Sequence, residues 1–315
     1  MDQISLKNVK VGDRIEGFYL LNNLNIRTVG HSSTPMMLGA ISDQTGSLGC
    51  KIWGYDGPLT SADTGNVVYV EGKIGEFNST PQATLDEFRL AEPGEFEHVP
   101  GLVPSAPKDA DDMGLVIKGA IASMQDQDYY NICVSILKKY EDEFKRIPAG
   151  KSVHHAFAHG LLMHTSNMVN AAIGLAGIYK DFINRDLLLA GTILHDIGKI
   201  KEFDLSQLGL VSQYSVQGQL MGHLVIGAQE VALAAKECGV PEGKSILLQH
   251  LLLSHHGEPD FGAAIRPVCA EAFLLHSIDA MDARMETYRE QLDKMETGEV
   301  SNVIPVLGTR VYKHI

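Results

Sequence analysis

The stretch LLLAGTILHDIGKIKEF, residues 187 to 203, places a His-Asp pair directly after a run of leucines and small residues. Its apolar spacing predicts a buried helix with His195 and Asp196 near its end and Gly198 as its terminator. An aspartate among leucines is costly to bury unless it is paired or coordinates a cation. Such a dipeptide is expected about once by chance in a chain of this composition, so its meaning depends on the residues that accompany it.

Histidines are concentrated in the same part of the chain. Ten of the 13 lie between His154 and His276, and several begin or end predicted helices with apolar neighbours. Helical bundles build metal sites in their cores from inward side chains on facing helices. We therefore predict a metal site whose candidate ligands are His164, His195, Asp196, His223, His255 and Asp279.

The chemistry of these side chains restricts the metal. Imidazole and carboxylate ligands suit manganese, iron, cobalt or nickel, and also zinc, while the lack of thiolates argues against a structural zinc site. Further candidates for a metal or phosphate contact are His154, His155, His159 and His256, with packing in a polar loop or beside a ligand as the alternative. Lys199 is a candidate for a phosphate contact, with a solvated lysine as the alternative.

Residues 1–91 predict a small β-barrel. Five runs with strand propensity are separated by turn signals such as DQTG and NSTP, which is typical of an OB-type barrel. In the third run, alternation places Lys51, Trp53 and Tyr55 on one face. A lysine between two aromatic rings suits a single nucleic-acid strand, whose bases stack and whose phosphates need a cation. Packing of the two rings on the barrel or on another domain is the alternative.

The rest of the chain predicts a linker, a helical domain and a tail. Residues 92–112 contain four prolines and many acids, which is typical of a linker. From residue 113 the apolar residues follow helical spacing, so 113–300 predict an all-α domain, and 301–315 predict an extended tail. The predicted fold class is multidomain, with an N-terminal all-β OB-type barrel and a C-terminal all-α bundle.

Charge and composition restrict the partners. The net charge of −13 argues against a broad basic nucleic-acid surface, but it allows a local cationic groove or a site charged by bound metal. We find no apolar run long enough to cross a membrane and no apolar signal core at the N-terminus. Four widely spaced cysteines predict reduced thiols. We therefore expect a cytoplasmic protein without a membrane partner.

The histidines and aspartates resemble the signature of the HD-domain phosphohydrolase superfamily, a histidine followed by a His-Asp pair and a later aspartate. The likeness covers roughly residues 150 to 295. It implies a first divalent ion held by His164, His195, Asp196 and Asp279. It also implies that His223 and His255 bind a second ion and that Asp196 bridges the two.

The likeness extends to most of the chain. An OB-type domain, a linker and an HD domain with HHAFAHGLLMHT, HDIGK and SHHGEP resemble the YhaM-type 3′-5′ exoribonucleases. This resemblance implies hydrolysis of single-stranded RNA or DNA by a metal-activated water, with His195, Asp196 and Lys199 as catalytic residues. One position departs from the family pattern, since Met163 stands where a glutamate is frequent. A homo-oligomer is left open.

Two other functions fit the same residues. The first is an HD hydrolase of nucleotides, cyclic dinucleotides or small phosphate esters, in which the barrel serves assembly. The GYP motif of the cyclic-di-GMP class does not follow SHHGEPDFG, which disfavours that substrate. The second is a non-catalytic nucleic-acid-binding protein with a decayed HD domain, against which the complete set of candidate ligands argues.

Overall fold

The computed structural model of the 315-residue chain describes residues 3–29, 34–78, 80–92, 94–96, 99, 101–103, 105–150, 155, 157–206 and 208–315. The chain divides into two compact units. One comprises Met1–Ser105 with Leu205–Ser212, and the other comprises Ala106–Asp204 with Gln213–Ile315. Within the described ranges, no helix combines the length and the apolar character that a membrane crossing requires.

The N-terminal unit contains a closed barrel with the strand order β1-β2-β3-β5-β4. Its strands in the described part of the chain are β1 (Arg14–Val29), β2 (Thr34–Asp43), β3 (Gly46–Trp53), β4 (Val67–Phe77) and β5 (Thr80–Leu90). Neighbouring strands are antiparallel except β3 and β5, which are parallel because β4 lies between them in sequence. This arrangement is the five-stranded OB barrel that the sequence predicts.

Alternation along the strands builds the barrel core. In β1, the side chains of Ile15, Tyr19 and Leu21 are fully buried, as expected when every second residue faces inward. The first half of β1 pairs with β4 and the second half with β2, and the register shifts between Leu21 and Asn23. Such a bulge bends a strand, so one long strand serves both sides of the barrel.

The second unit is mainly helical. Its helices in the described ranges are α1 (Ala110–Ala122), α2 (Gln127–Lys139), α3 (Glu141–Arg146), α4 (Gly160–Ile178), α5 (Arg185–Leu194), α6 (Lys199–Glu202), α7 (Val216–Glu237), α8 (Glu242–Ser254) and α9 (Ala270–Leu292). Between α6 and α7 the chain forms a short hairpin that was not predicted, β6 (Phe203–Leu205) with β7 (Val211–Tyr214). The helix α1 begins three residues before the predicted start at Met113, because the Asp109 side chain accepts hydrogen bonds from the backbone N–H groups of Asp111 and Asp112.

The helix α5 is buried along nearly its whole length, as the leucine-rich stretch predicts. Every residue from Asp186 to Leu194 is buried. The only acid in this helix, Asp186, accepts hydrogen bonds from the backbone N–H groups of Gln125 and Asp126, so its charge is satisfied inside the core. A fully buried helix gives the turn that follows it a fixed position.

The segment after α9 folds back on itself. Isolated β-bridges join Val300 to Tyr312 and Ile304 to Thr309. Lys313 Nζ donates to the carbonyl oxygens of Leu292 and Met295 at 3.0 and 2.8 Å, where α9 ends. The segment predicted as an extended tail therefore doubles back at a turn and contacts the end of α9.

Candidate metal centre

Asp196 lies in the middle of a histidine cluster, in the turn after α5, and is only 3% exposed. Its oxygen Oδ2 is 3.2 Å from His195 Nε2 and 3.9 Å from His164 Nε2. Its other oxygen, Oδ1, is 3.4 Å from His223 Nε2 and 3.8 Å from His255 Nε2. One carboxylate therefore faces two different pairs of imidazoles, which is the geometry of a bridging ligand.

Two groups of ligand atoms form around Asp196. In the first, His164, His195 and Asp196 offer atoms within 4.8 Å of one another, and in the second, His223, His255 and His256 do the same. Asp279, on α9, joins the first group because its Oδ1 lies 3.2 Å from His164 Nε2. The structure thus brings together the six predicted ligands and places His256, a further predicted candidate, in the second group.

Hydrogen bonds at Nδ1 orient the imidazoles around Asp196. Three rings donate to main-chain carbonyls, namely His195 to Thr192 (2.9 Å), His255 to Leu252 (2.8 Å) and His256 to Phe261 (3.1 Å). A neutral imidazole has one N–H, so donation from Nδ1 leaves a lone pair at Nε2. Ligating histidines commonly have such a partner on the other nitrogen, which leaves Nε2 as the nitrogen that would ligate a metal. His195 Nε2 lies 3.2 Å from His164 Nε2.

His164 takes a carboxylate as its Nδ1 partner. Asp282 Oδ2 lies 2.7 Å from His164 Nδ1 and 2.9 Å from Nε2 of the fully buried His155. These three residues also lie close enough to hold an ion, but we assign Asp282 to orienting the rings because this contact directs His164 Nε2 to Asp279. Asp282 was not among the predicted site residues, although its spacing three residues after Asp279 on one helix was a usable signal.

Glu202 holds His223 in the same way. Its Oε1 accepts hydrogen bonds from His223 Nδ1 at 3.0 Å and from the His223 backbone N–H at 2.9 Å. Gly222 leaves helical geometry with φ +69°, which frees that N–H from the helix ladder. Burial raises the pKa of Glu202, but the hydrogen bonds from His223 outweigh burial and lower it. Nothing in the sequence marked Glu202.

The carboxylates of the centre are held in the charged form. Burial opposes the charge on Asp196, but Lys199 and His195 keep its pKa well below the usual range. Burial also opposes the charge on Asp279, and the hydrogen bond from His164 keeps its pKa low. Burial lowers the pKa of His255 far below the usual value, so this ring is neutral and able to ligate a cation.

The pKa of His164 is shifted upwards, whereas that of the neighbouring His255 is shifted downwards. Burial lowers the pKa of His164, but hydrogen bonds to Asp279 and Asp282 outweigh burial and raise it to about 9. A proton on His164 occupies the lone pair that a metal ligand needs. Metal binding must therefore release this proton, and metal affinity should increase as the pH rises towards the pKa of His164.

Two buried atoms test whether a cation fits this centre. Asp196 Oδ1 and His223 Nε2 are fully buried and have no hydrogen-bond partner among the described residues. Leaving such atoms unsatisfied costs on the order of 1–3 kcal/mol each. A divalent ion bound by both would satisfy them, and the nitrogen and oxygen donors suit a first-row transition metal. The residues therefore fit a metal.

Comparisons with known proteins agree with this geometry. The model of the HD domain family matches residues 161–284. The 3′-5′ exoribonuclease YhaM of Halalkalibacterium halodurans is 32% identical over 305 residues, which cover 96% of this chain and 93% of that protein. YhaM of Bacillus subtilis is 32% identical over 306 residues, which cover 96% and 95%. This chain belongs to the YhaM family.

Family membership and the strand order confirm the predicted family and fold class, and the HD domain implies binding of divalent metal. A solved OB-fold domain of replication protein A from Methanococcus maripaludis also matches, at 16% identity and a TM-score of 0.21 over 28% of this chain and 94% of that one. The strand order β1-β2-β3-β5-β4 of the closed barrel carries the OB assignment.

The other predicted site residues have these positions in this member of the YhaM family. Lys199 Nζ lies 2.7 Å from Asp196 Oδ2. His159 precedes α4, and its Nδ1 donates to the Lys145 carbonyl at 2.7 Å, so the ring fastens the start of that helix. His154 lies outside the described residues. Met163 is 3% exposed within the helical core, so this side chain packs there.

The prediction that Gly198 terminates the leucine-rich helix is wrong, because α5 ends at Leu194 and Gly198 directly precedes α6. The backbone of Gly198 is right-handed, with φ −63° and ψ −22°. A Cβ atom here would lie 2.1 Å from the His223 carbonyl oxygen and 2.8 Å from the Gly227 nitrogen. The residue must be glycine because the turn that carries Asp196 packs directly against the backbone of α7.

The predicted nucleic-acid face of the barrel is partly wrong. The strand β3 ends at Trp53, and Gly54 has φ +69°, so alternation stops before Tyr55. Tyr55 turns inward, is 7% exposed and packs edge-on against Phe88 with 6.2 Å between ring centroids. Tyr55 therefore supports the barrel core and is not available for base stacking.

A different aromatic residue takes the place predicted for Tyr55. Phe77, at the end of β4, is 57% exposed, and Trp53 is 56% exposed. Lys51 Nζ lies 5.9 Å from the centroid of each of these two rings. Outward alternation along β4 was the signal for Phe77, but its proximity to Lys51 depends on the pairing of both strands with β5. We call Lys51, Trp53 and Phe77 the aromatic–lysine patch.

Replacing Asp282 with asparagine should weaken metal binding by about tenfold, because His164 would lose a charged partner that makes its ring a better ligand. The affinity for Mn²⁺ can be measured by competition with a fluorescent chelator. Asp128→Asn is a matched control, since Asp128 is also paired, with Lys244 at 2.6 Å, but lies on α2 away from the ligands. An Asp282→Asn variant with wild-type affinity would contradict the role of Asp282.

Proposed function

We propose that this protein is a metal-dependent 3′-5′ exoribonuclease in which Asp196 bridges two divalent ions. Its family supports the reaction class, since the relatives are 3′-5′ exoribonucleases. The observation that supports two ions is the placement of Asp196, whose oxygens Oδ2 and Oδ1 face different histidine pairs. A single-ion site would not need imidazoles on both sides of the carboxylate.

The donors separate into two sets. The first ion would be held by His164, His195, Asp196 and Asp279, and the second by Asp196, His223 and His255, with His256 as a further candidate. Manganese, iron, cobalt or nickel suits these nitrogen and oxygen donors. Ions bound there would activate a water for attack on phosphorus and offset the charge of the phosphoryl oxygens.

The residues of the chain prepare this reaction. Buried hydrogen bonds hold the imidazoles in fixed orientations, so little reorganisation is needed when substrate binds. Lys199 uses one ammonium N–H on Asp196, and an ammonium has three such donors. We assign the remaining donors to a phosphate oxygen of the substrate. The Lys199 side chain is 14% exposed, so its ammonium can be reached from the surface.

We assign the strand-holding role to the barrel and hydrolysis to the helical unit. The aromatic–lysine patch offers two exposed rings for stacking and a cation for phosphate. A local cation matters here because the chain as a whole carries a net charge of −13, which repels nucleic acid at long range. Single-stranded RNA is therefore the proposed substrate.

Labelled oligonucleotides test this function. With Mn²⁺ present, a single-stranded RNA labelled at its 5′ end should give a ladder of progressively shorter labelled products. The same RNA labelled at its 3′ end should release labelled mononucleotide from the start. A duplex of the same sequence is the control and should resist hydrolysis. Loss of the 5′ label first would contradict the 3′-5′ polarity, and hydrolysis of mononucleotides and cyclic dinucleotides alone would favour the small-ester alternative.

A further inference from the structure

Glu230 is a buried carboxylate on α7 that the proposed reaction does not use. Its side chain is 7% exposed, and it accepts hydrogen bonds from Lys201 Nζ at 2.5 Å, Lys139 Nζ at 2.9 Å and the Tyr140 hydroxyl at 2.8 Å. Burial alone would raise the pKa of Glu230, but these hydrogen bonds outweigh burial and lower it to about 2. Buried carboxylates are retained only where such partners exist, so the contacts are specific.

The helix α6 depends on contacts with neighbouring segments for its position. It has four residues, far fewer than an isolated helix needs for stability in water. Its charged side chains pair as follows: Lys199 with Asp196, Lys201 with Glu230 and Glu202 with His223. Each contact joins α6 to the metal centre or to α7.

Two of these contacts, those made by Lys201 and Glu202, are with residues on the same face of α7. Glu230 lies seven positions after His223, which is about two helical turns, so both side chains point towards α6. Glu202 therefore holds α6 at the first of these positions, and Lys201 holds it at the second. The start of α7 also contacts the end of α6, because the hydroxyl and the backbone N–H of Ser215 donate to the carbonyl oxygens of Lys201 and Glu202 at 2.6 and 2.9 Å. The ion pair between Lys201 and Glu230 adds a side-chain contact beyond His223, so its loss would let the Glu202 carboxylate shift relative to the His223 ring.

We propose that Glu230, acting through Lys201, is a positioning residue for His223. It keeps α6 in register with α7, so that Glu202 holds the His223 ring with Nε2 directed at Asp196 Oδ1, 3.4 Å away. The inference rests on the proposed function only in taking His223 as a metal ligand. It extends the machinery of the site to a residue that touches neither metal nor substrate.

Lys201→Met tests the inference without leaving Glu230 unpaired, because Lys139 and Tyr140 remain in place. We expect the affinity of the more weakly bound Mn²⁺ to fall by about tenfold, as for other partners of ligating residues. The kcat for single-stranded RNA should fall with it, while KM for the strand stays unchanged. Lys201→Arg keeps the charged contact and should restore most of the affinity.

Lys139→Met is the matched control. Lys139 contacts the same carboxylate, and both ammonium groups lie near the Tyr140 ring, at 4.9 Å for Lys139 and 5.8 Å for Lys201. Lys139 belongs to α2, however, so its loss should leave Mn²⁺ affinity unchanged. Melting temperatures of both variants report the general cost of losing an ion pair.

Comparing Mn²⁺ binding by the Lys201→Met and Lys139→Met variants distinguishes a positioning role from the general loss of an ion pair. Weaker Mn²⁺ binding in Lys201→Met with normal binding in Lys139→Met supports the positioning role. Equal losses in both variants, or wild-type affinity in Lys201→Met, would overturn it. Chelator competition measures affinity without any RNA hydrolysis. A protein that failed to degrade RNA but showed the difference between the two lysines would refute the proposed function and leave this inference standing.

Discussion

Asp196→Asn should lower kcat/KM for single-stranded RNA by at least about a hundredfold, because loss of even one group that stabilises the transition state costs a factor of about 10²–10³. The amide keeps the shape of the carboxylate but offers one oxygen and one NH₂ group. It can face only one of the two histidine pairs with an oxygen and therefore cannot bridge two ions. Steady-state hydrolysis of a labelled single strand measures the loss.

The same variant should lose the stabilisation that metal gives the wild-type protein. A ligand that binds only the folded state raises its stability with ligand concentration, so Mn²⁺ should raise the melting temperature of the wild type but hardly that of Asp196→Asn. Asp186→Asn is the control, because Asp186, on α5, is also buried but accepts hydrogen bonds from the backbone N–H groups of Gln125 and Asp126. It should lower stability and keep the response to Mn²⁺. A full response in Asp196→Asn would refute the bridging role.

Replacing Trp53 and Phe77 together with alanine should weaken binding of single-stranded RNA by about 1–3 kcal/mol for each stacked base. Both rings are more than half exposed, so their loss removes stacking surface and little of the barrel core. Fluorescence anisotropy with a labelled oligonucleotide measures binding. Hydrolysis of bis-p-nitrophenyl phosphate should be unchanged, because so small an ester needs only the metal centre.

Phe182→Ala is the control for the aromatic–lysine patch, since Phe182 is 67% exposed but belongs to the helical unit. It should bind RNA as the wild type does. Equal loss of strand binding and small-ester hydrolysis in the Trp53 and Phe77 variant would indicate a general structural defect. Unchanged strand binding would remove the barrel from substrate recognition.

The regular elements could be predicted where one local pattern dominates. The strand β1 covers Arg14–Val29, the range that its β-propensity indicates, and α5 follows the leucine-rich run. A local sequence pattern does not predict side-chain orientation where a single residue changes the direction of the chain. Gly54, with φ +69°, moves Tyr55 from the outer face into the core, and alternation alone carries no information about that turn.

The metal ligands could be predicted because their chemistry conflicts with their surroundings. Histidines and aspartates among leucines need a reason to be buried, and that reason can be inferred without coordinates. Their supporting residues could not be found in this way. Glu202 meets His223 across 21 positions of sequence, and an exposed surface helix would also contain such a glutamate. Only the packing of α6 on α7 distinguishes the two cases.

Because Gly198 has no side chain, α7 can lie close to the turn that carries Asp196. This close approach sets the width of the metal centre. A single added methyl group would lie 2.1 Å from the His223 carbonyl oxygen, and α7 would have to move away from the turn that carries Asp196. The gap between Asp196 Oδ1 and His223 Nε2, now 3.4 Å, would widen while every donor stayed the same. Selection for an ion of different radius could thus act on a residue that coordinates nothing.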